Sequence, residues 1–205
     1  RVKSNKFKLA VPFLQAVRRK YYQFAFKKEI KKHSKTTIAV HIHLYYEELW
    51  EEIKSYLKNL EVYRYDIYIT HTNSLSSNTI ESIKSFNKNV KIEIVHLKNI
   101  GFDLAPFIYV LKTYSLFTYD VIFKIHTKRD VKPSNYYGIF MQGGEWRSLS
   151  YKSILGEKNV HLTINKIVDS NKNGMVAYKN FITDVDSTYN KEMTIKVMNR
   201  FGFNV

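Results

Sequence analysis

The chain has 205 residues, 44% hydrophobic and 25% charged, which suits one large folded domain with a sizeable core and excludes wholesale disorder. It has no cysteine, so disulfide frameworks and cysteine-ligated zinc are excluded, and its longest apolar runs fall far short of the ~20 residues of a membrane span. The formal net charge of +15 points either to an anionic partner, such as nucleic acid, an anionic membrane or a phosphorylated ligand, or to a lysine-rich solvated surface.

Residues 1–35 carry many Lys and Arg and one acid, Glu29. Apolar residues at Leu14, Val17, Tyr21, Phe24 and Ala25 recur at helical spacing, and Pro12 suits an early helical position. The segment Pro12–Lys32 therefore reads as a basic amphipathic helix. It packs on the domain, links to a segment further upstream, or lies on an anionic membrane. The remainder, 36–205, reads as one α/β domain.

Thr37–Tyr45 is β-branched and apolar, the pattern of a buried strand. Tyr46–Leu60 places Leu49, Trp50, Ile53 and Leu57 on one helical face. Tyr65–His71 reads as a second strand, Asn73–Ser77 as a polar loop, Thr79–Phe86 as a short helix and Val90–Leu97 as a third strand. Asp103 suits the N-cap of a helix with Phe107, Ile108, Leu111 and Ser115 inward, and Tyr119–His126 is a fourth strand. Strand–helix alternation with short connections predicts an open, mainly parallel α/β sheet flanked by helices. Beyond Thr127 the pattern gives a long loop over Lys128–Gly144, helices over Glu145–Leu155 and Val160–Ser170, and a fifth strand at Met175–Tyr178. The sequence begins at Arg1 and stops at Val205 just after a helix-like segment, so a longer natural polypeptide is expected.

Ligands of such sheets bind at the carboxyl ends of the strands, near the point where strand order reverses. The residues there are His43 and Tyr45; Thr70, His71 and Asn73; His96, Lys98 and Asn99; and His126, Thr127, Lys128 and Arg129. Basic and hydrogen-bonding side chains on one rim suit an anion, here a diphosphate. Gly101 permits a tight turn or close approach of a ligand, and Asp103 either caps its helix or contacts a ligand. Alternation along the fourth strand puts Lys124, His126 and Lys128 on one face, and charges there are costly to bury without partners.

These segments together carry a resemblance. Asn99-x-Gly101-x-Asp103-x-x-Pro106-Phe107, then Tyr119-Asp120-x-x-x-Lys124-Ile125-His126-Thr127-Lys128-Arg129, then Trp146-Arg147 ahead of Leu155-Gly156, resemble the rhamnan synthesis protein F family. The strand Val40–Tyr46 and the Thr70-x-x-Asn73 rim are similar to it too, so that the likeness runs from about Thr37 to the C-terminus. The resemblance implies a fold similar to GT-A glycosyltransferases and sugar transfer in bacterial cell-surface polysaccharide assembly. The partners implied are a nucleotide-sugar donor, with rhamnose suggested by the family name, and a glycan or lipid-linked glycan acceptor. The location implied is cytoplasmic, on the inner face of the cytoplasmic membrane. Asn99, Gly101 and Asp103 would then shape the donor site. Lys124, His126, Lys128 and Arg129 would offset diphosphate charge, and Trp146 and Arg147 would line the acceptor side. Asp103 is the one candidate catalytic base within the chain.

GT-A enzymes often place Asp-x-Asp after the fourth strand to hold a divalent metal. Here that position reads His126-Thr127-Lys128, and cations do not ligate Mg²⁺ or Mn²⁺. No metal cofactor is therefore expected, Asp184 and Asp186 being the only paired carboxylates that would hold one. The histidines match no compact zinc motif, and P-loop, dinucleotide and Gly-x-Ser-x-Gly signatures are absent. Two rival readings are a non-catalytic scaffold and a polyanion-binding module; nucleic acid is disfavoured because the aromatics fall within strands and helices, as core residues do.

Overall fold

The computed structural model describes residues 28, 30–130, 132–136, 139–182, 191–200 and 202. The chain divides into two compact units, Arg1–Lys35 and Thr36–Val205. In the first, residue 28 and residues 30–32 are helical; the rest of the expected Pro12–Lys32 helix lies outside the described residues.

The second unit is an α/β domain of Rossmann-like form. Its main sheet comprises β1 (Thr37–His43), β2 (Arg64–His71), β3 (Ile92–His96) and β4 (Val121–His126), all parallel, in the order β3-β2-β1-β4. The connecting helices are α1 (Trp50–Leu57), α2 (Ser77–Lys84) and α3 (Leu104–Thr113), followed after β4 by α4 (Gly143–Leu155), α5 (Asn159–Val168) and α6 (Lys191–Arg200). Ser76 starts α2, its hydroxyl accepting a hydrogen bond from the Thr79 N–H.

Side-chain alternation gives the sheet two unlike faces. Ile38, Val40 and Ile42 of β1 with Leu44 just after it, Ile67 and Ile69 of β2, and Val121, Phe123 and Ile125 of β4 point into the main core. Helices α1, α2, α4 and α5 supply Trp50, Ile53, Leu57, Ile83, Leu155 and Ile164 to that core. On the opposite face α3 adds Val110 over Ala39 and Tyr68. That second layer is apolar near the strand starts, while His41, His43 and Thr70 lie buried toward the strand ends.

Two expectations need correction. The stretch Lys128–Gly144 is not wholly a loop, since β5 (Ser134–Tyr136) and β6 (Ile139–Met141) pair antiparallel within it. Met175–Tyr178 is not a strand; it runs as irregular chain, so the main sheet ends at β4 among the described residues. β-Branched and aromatic composition favours a strand only where a partner edge supplies the ladder, and here the ladder is not made.

Ile42 is fully buried at the centre of the sheet. Ile42→Ala is expected to lower unfolding free energy by ~2–5 kcal/mol in a denaturant titration. A loss well under ~1 kcal/mol would place Ile42 outside the main core.

Candidate functional site

The strand order sets the position of the site. After β1 the chain winds outward through β2 to β3, then α3 carries it back across the opposite face to β4 on the other side of β1. The order reverses between β1 and β4, and crevices of open α/β sheets form outside the carboxyl ends of such a strand pair. Here those ends carry His43 and His126, which stand opposite each other in register.

Asp103 reaches this point from the start of α3. Its carboxylate takes a hydrogen-bonded ion pair from Lys124 Nζ and lies 3.3 Å from His126 Nδ1. It makes no side-chain capping bond to its own helix, so the capping role expected from sequence is corrected: the carboxylate is drawn across to the sheet instead. A left-handed turn delivers it, with Gly101 at φ 72° and Phe102 at φ 53°. Glycine is required at the first of these, because a Cβ there would stand 2.7 Å from the Ala105 Cβ as well as being strained. Phe102 accepts the same backbone region as a non-glycine residue with its side chain 74% exposed, the kind of strain that gathers at functional sites.

Burial by itself would raise the Asp103 pKa. The charges of His126 and Lys124, with hydrogen bonds from Lys124 and its own backbone N–H, overcome that and hold it at about 2. So weak a base is poorly matched to proton abstraction near neutrality. The geometry shows Asp103 as the charge partner of Lys124, tying the start of α3 to β4.

Behind this pair lies a buried hydrogen-bonded trio. Thr70 Oγ1 is 3.0 Å from both His41 Nε2 and His43 Nδ1. His41 Nδ1 is buried without a partner, and a bare lone pair there costs less than an orphaned N–H. The arrangement that satisfies the trio has His41 Nε2–H donating to Thr70 and the Thr70 hydroxyl donating to His43 Nδ1. His43 then carries its proton on Nε2, as a hydrogen-bond donor at the crevice. Burial lowers the pKa of His41 to about 3, aided by Lys124 and His43. Burial also lowers His43 despite the opposing pull of Asp103, and lowers His126 to about 4 against the same pull. All three imidazoles are therefore neutral at pH 7.

The other predicted site residues divide. Thr127 faces into the fold: its hydroxyl accepts from the N–H groups of Tyr45 and Tyr46 at 3.0 and 3.1 Å and lies 3.3 Å from the His43 carbonyl. It stitches the loops after β1 and β4 together. The Asn73 side-chain amide donates to the Tyr45 carbonyl at 3.1 Å. Arg129 pairs with Glu48 at 2.5 Å and lies over the Tyr46 ring. Arg147 is buried, donating to Glu52 at 2.9 Å and to the Lys128 carbonyl, so it braces α1 and α4 against the end of β4 and does not line an open acceptor surface. Trp146 does reach the site, its ring 5.0 Å from that of His126 and 5.7 Å from Lys128 Nζ. Asn99 is exposed on the loop before Gly101. Asp184 and Asp186 lie outside the described residues.

The rim of basic and hydrogen-bonding side chains expected from sequence also carries carboxylates. Glu48 balances Arg129, Asp103 balances Lys124, and desolvation keeps His43 and His126 neutral. Sequence reading passed over Glu48 and Glu52 as site components, although their spacing of four on one helical face pointed both toward the end of β4. It did not count His41 among the rim residues, although alternation places it on the same face as His43.

A Rossmann-like parallel sheet with polar side chains converging at its switch point defines the chain as an open-sheet α/β domain. The family model for rhamnan synthesis protein F matches residues 3–202, and the chain belongs to that family. Its place is accordingly in the synthesis of rhamnan-type cell-surface polysaccharide, with glycan-related partners. The match begins well before Thr37, where the sequence resemblance started, so the basic N-terminal segment is part of the family pattern. Comparison with curated proteins and with solved structures gives no match. No helix among the described residues is long and apolar enough to cross a membrane.

Desolvated histidines, His41 fully buried and His126 partly so, make stability depend on pH. Each titrates at 6.5 as a free side chain, against about 3 for His41 and about 4 for His126 in the fold. The unfolded chain binds more protons once pH drops below 6.5, so their contribution is complete above that value and declines toward pH 4. Thermal melts are expected to fall by more than ~5 °C between pH 7 and pH 4.5, with a shallower dependence in His126→Gln. An unchanged slope in that variant would show that His126 is not held neutral.

Proposed function

We propose that this chain transfers a sugar from a nucleotide-sugar donor to a growing bacterial cell-surface glycan, its sheet serving as a GT-A-like donor platform. The observation that carries the reading is the Asp103–Lys124–His126 cluster, with His43, at the switch point of a parallel sheet in a polysaccharide-synthesis family. Transfer breaks the bond between the anomeric carbon and the diphosphate oxygen and forms one to an acceptor hydroxyl oxygen, which loses its proton. Negative charge builds on the departing diphosphate, and fixed donors aimed at that position stabilise it. In this reading Lys124 and Lys128 supply the counter-charge, His43 supplies an N–H donor, and the loop of Asn99 and Gly101 shapes the wall beside the donor. Asp103 holds the Lys124 ammonium in place, so that little rearrangement is needed when the diphosphate arrives.

The residues at the end of β4 do not fit a divalent cation. The side chains there are an imidazole, a hydroxyl already committed to two N–H groups, and an ammonium, whereas Mg²⁺ and Mn²⁺ take oxygen ligands. Among the described residues no group of three or more histidines and acids could hold a metal ion. Counter-charge from lysines is the reading these side chains favour.

Titration calorimetry with nucleoside-diphosphate sugars tests this. Binding is expected to persist in EDTA and to weaken by about tenfold or more in Lys128→Ala, the effect of losing one charge-assisted contact. Asp103→Asn should weaken it as well, because Lys124 loses its anchor. Binding that appears only with Mn²⁺ or Mg²⁺ would overturn the metal-free reading. Absence of binding to any such sugar would leave the scaffold or polyanion-binding readings in its place.

The same reading gives residues 1–35 a role in holding the domain near a lipid-linked acceptor at an anionic membrane surface. Each basic side chain close to such a surface adds ~1 kcal/mol. The full chain should therefore float with anionic liposomes and a chain lacking residues 1–35 should not. Equal flotation of the two would remove the membrane role.

A further inference from the structure

A groove of about 490 Å³ runs along the outer edge of β4, between that strand and the irregular segment 174–178, floored by α4 and α5. It lies within the ~300–1,000 Å³ range of small-molecule sites. Lys124 and His126 line one end, which makes the groove continuous with the Asp103 cluster. At that end Trp146 stacks on Phe181 with ring centroids 5.4 Å apart and planes at 22°, and Tyr178 meets Phe181 edge-on at 4.9 Å. Farther along, the walls are mainly apolar, but two polar features stand without partners. The Ser150 hydroxyl is buried with no hydrogen bond, and the outer edge of β4 has no pairing strand among the described residues.

Each feature favours one kind of occupant. Flat aromatic faces take the C–H face of a sugar ring, which is apolar while its rim of hydroxyls is not. An unpaired strand edge offers alternating N–H and C=O groups to those hydroxyls. A nucleotide fits less well, because the groove's interior beyond Lys124 holds no cation to meet its phosphates.

We infer that this groove seats the acceptor saccharide, with its non-reducing end toward His126 and the preceding sugars lying along β4. The inference rests on the sugar-transfer reading and adds to it the acceptor's class and direction: an oligosaccharide of two or more residues bound beside the sheet edge, reaching the donor crevice from the β4 side.

The test uses the full chain and a synthetic rhamnose trisaccharide. Saturation-transfer NMR reads saccharide contact, and fluorescence reads Trp146, since the other tryptophan, Trp50, is buried in the main core. Nucleoside-diphosphate sugar binding is followed separately by calorimetry. Phe181→Ala is expected to weaken the trisaccharide by at least tenfold, and Val176→Trp, which fills the groove, to abolish its signal. Both variants should bind the nucleotide-sugar as the wild type does and melt within a few degrees of it. Nucleotide-sugar binding without any trisaccharide signal, or a signal indifferent to both substitutions, overturns the groove assignment and leaves the donor reading standing. Trisaccharide binding that both substitutions weaken, without nucleotide-sugar binding, supports the groove and sinks the transferase. Capture of a β-prone hexapeptide in place of the sugar also overturns the assignment, and identifies the edge as a site of strand addition.

Discussion

The ion pair between Asp103 and Lys124 is the contact on which the site's geometry depends. An ammonium on the inner face of an edge strand, half out of water, is expensive unless an anion meets it. The anion comes from a distant stretch of sequence, and it arrives only because two successive left-handed residues, Gly101 and Phe102, swing the start of α3 toward β4. The helix thereby gives up the side-chain cap that an aspartate at that position commonly provides. Local helix stability has been exchanged for a tie between the crossover helix and the strand it feeds. Once made, that tie sets where His126 stands, and His126 in turn sets the wall shared by the crevice and the Trp146 ring.

The sheet separates construction from chemistry by face and by end. One face is apolar throughout its length and packs against four helices. The other is aliphatic and aromatic only near the strand starts, under the body of α3, and polar at the strand ends. The net charge of +15 has little to do with this second region. Its cations are nearly matched by carboxylates, and its imidazoles are kept neutral by desolvation. The excess of lysine is spread over the chain, where it bears on solubility and encounter more than on the site's own potential.

The layout was legible wherever periodicity carried it. β-Branched and apolar composition marked Thr37–Tyr45 as a strand, and alternation within Tyr119–His126 put Lys124 and His126 on a common face before any contact was known. Met175–Tyr178 misled because strand propensity reports on a residue's fit to a pleated surface, and no local signal says whether a neighbouring edge is within reach. Asp103 misled differently. Its sequence context satisfies the capping rule, while the competing partner lies on another element. Arg147 and Thr127 were legible as polar residues near a rim, but not as braces, because Glu52, Tyr45 and Tyr46 come from chain segments distant in sequence. Tertiary pairing of this sort is invisible to spacing, and it determines whether a charged side chain is a tool or a strut.

The Thr127 hydroxyl has a mechanical consequence. By holding the N–H groups of Tyr45 and Tyr46 while its own backbone N–H donates to His43, it makes the turns after β1 and β4 one body. Two loops that would otherwise drift independently share their fluctuations, and the gap between them keeps a constant width. A guest entering there meets walls already ordered during folding, so association need not quench loop entropy a second time. Adaptation to a differently shaped guest must then come from elements outside the stitched pair, chiefly the exposed turn at Ile100–Phe102. Variation in selectivity is best sought at Ile100 and Phe102, whose exposed side chains flank the fixed Gly101.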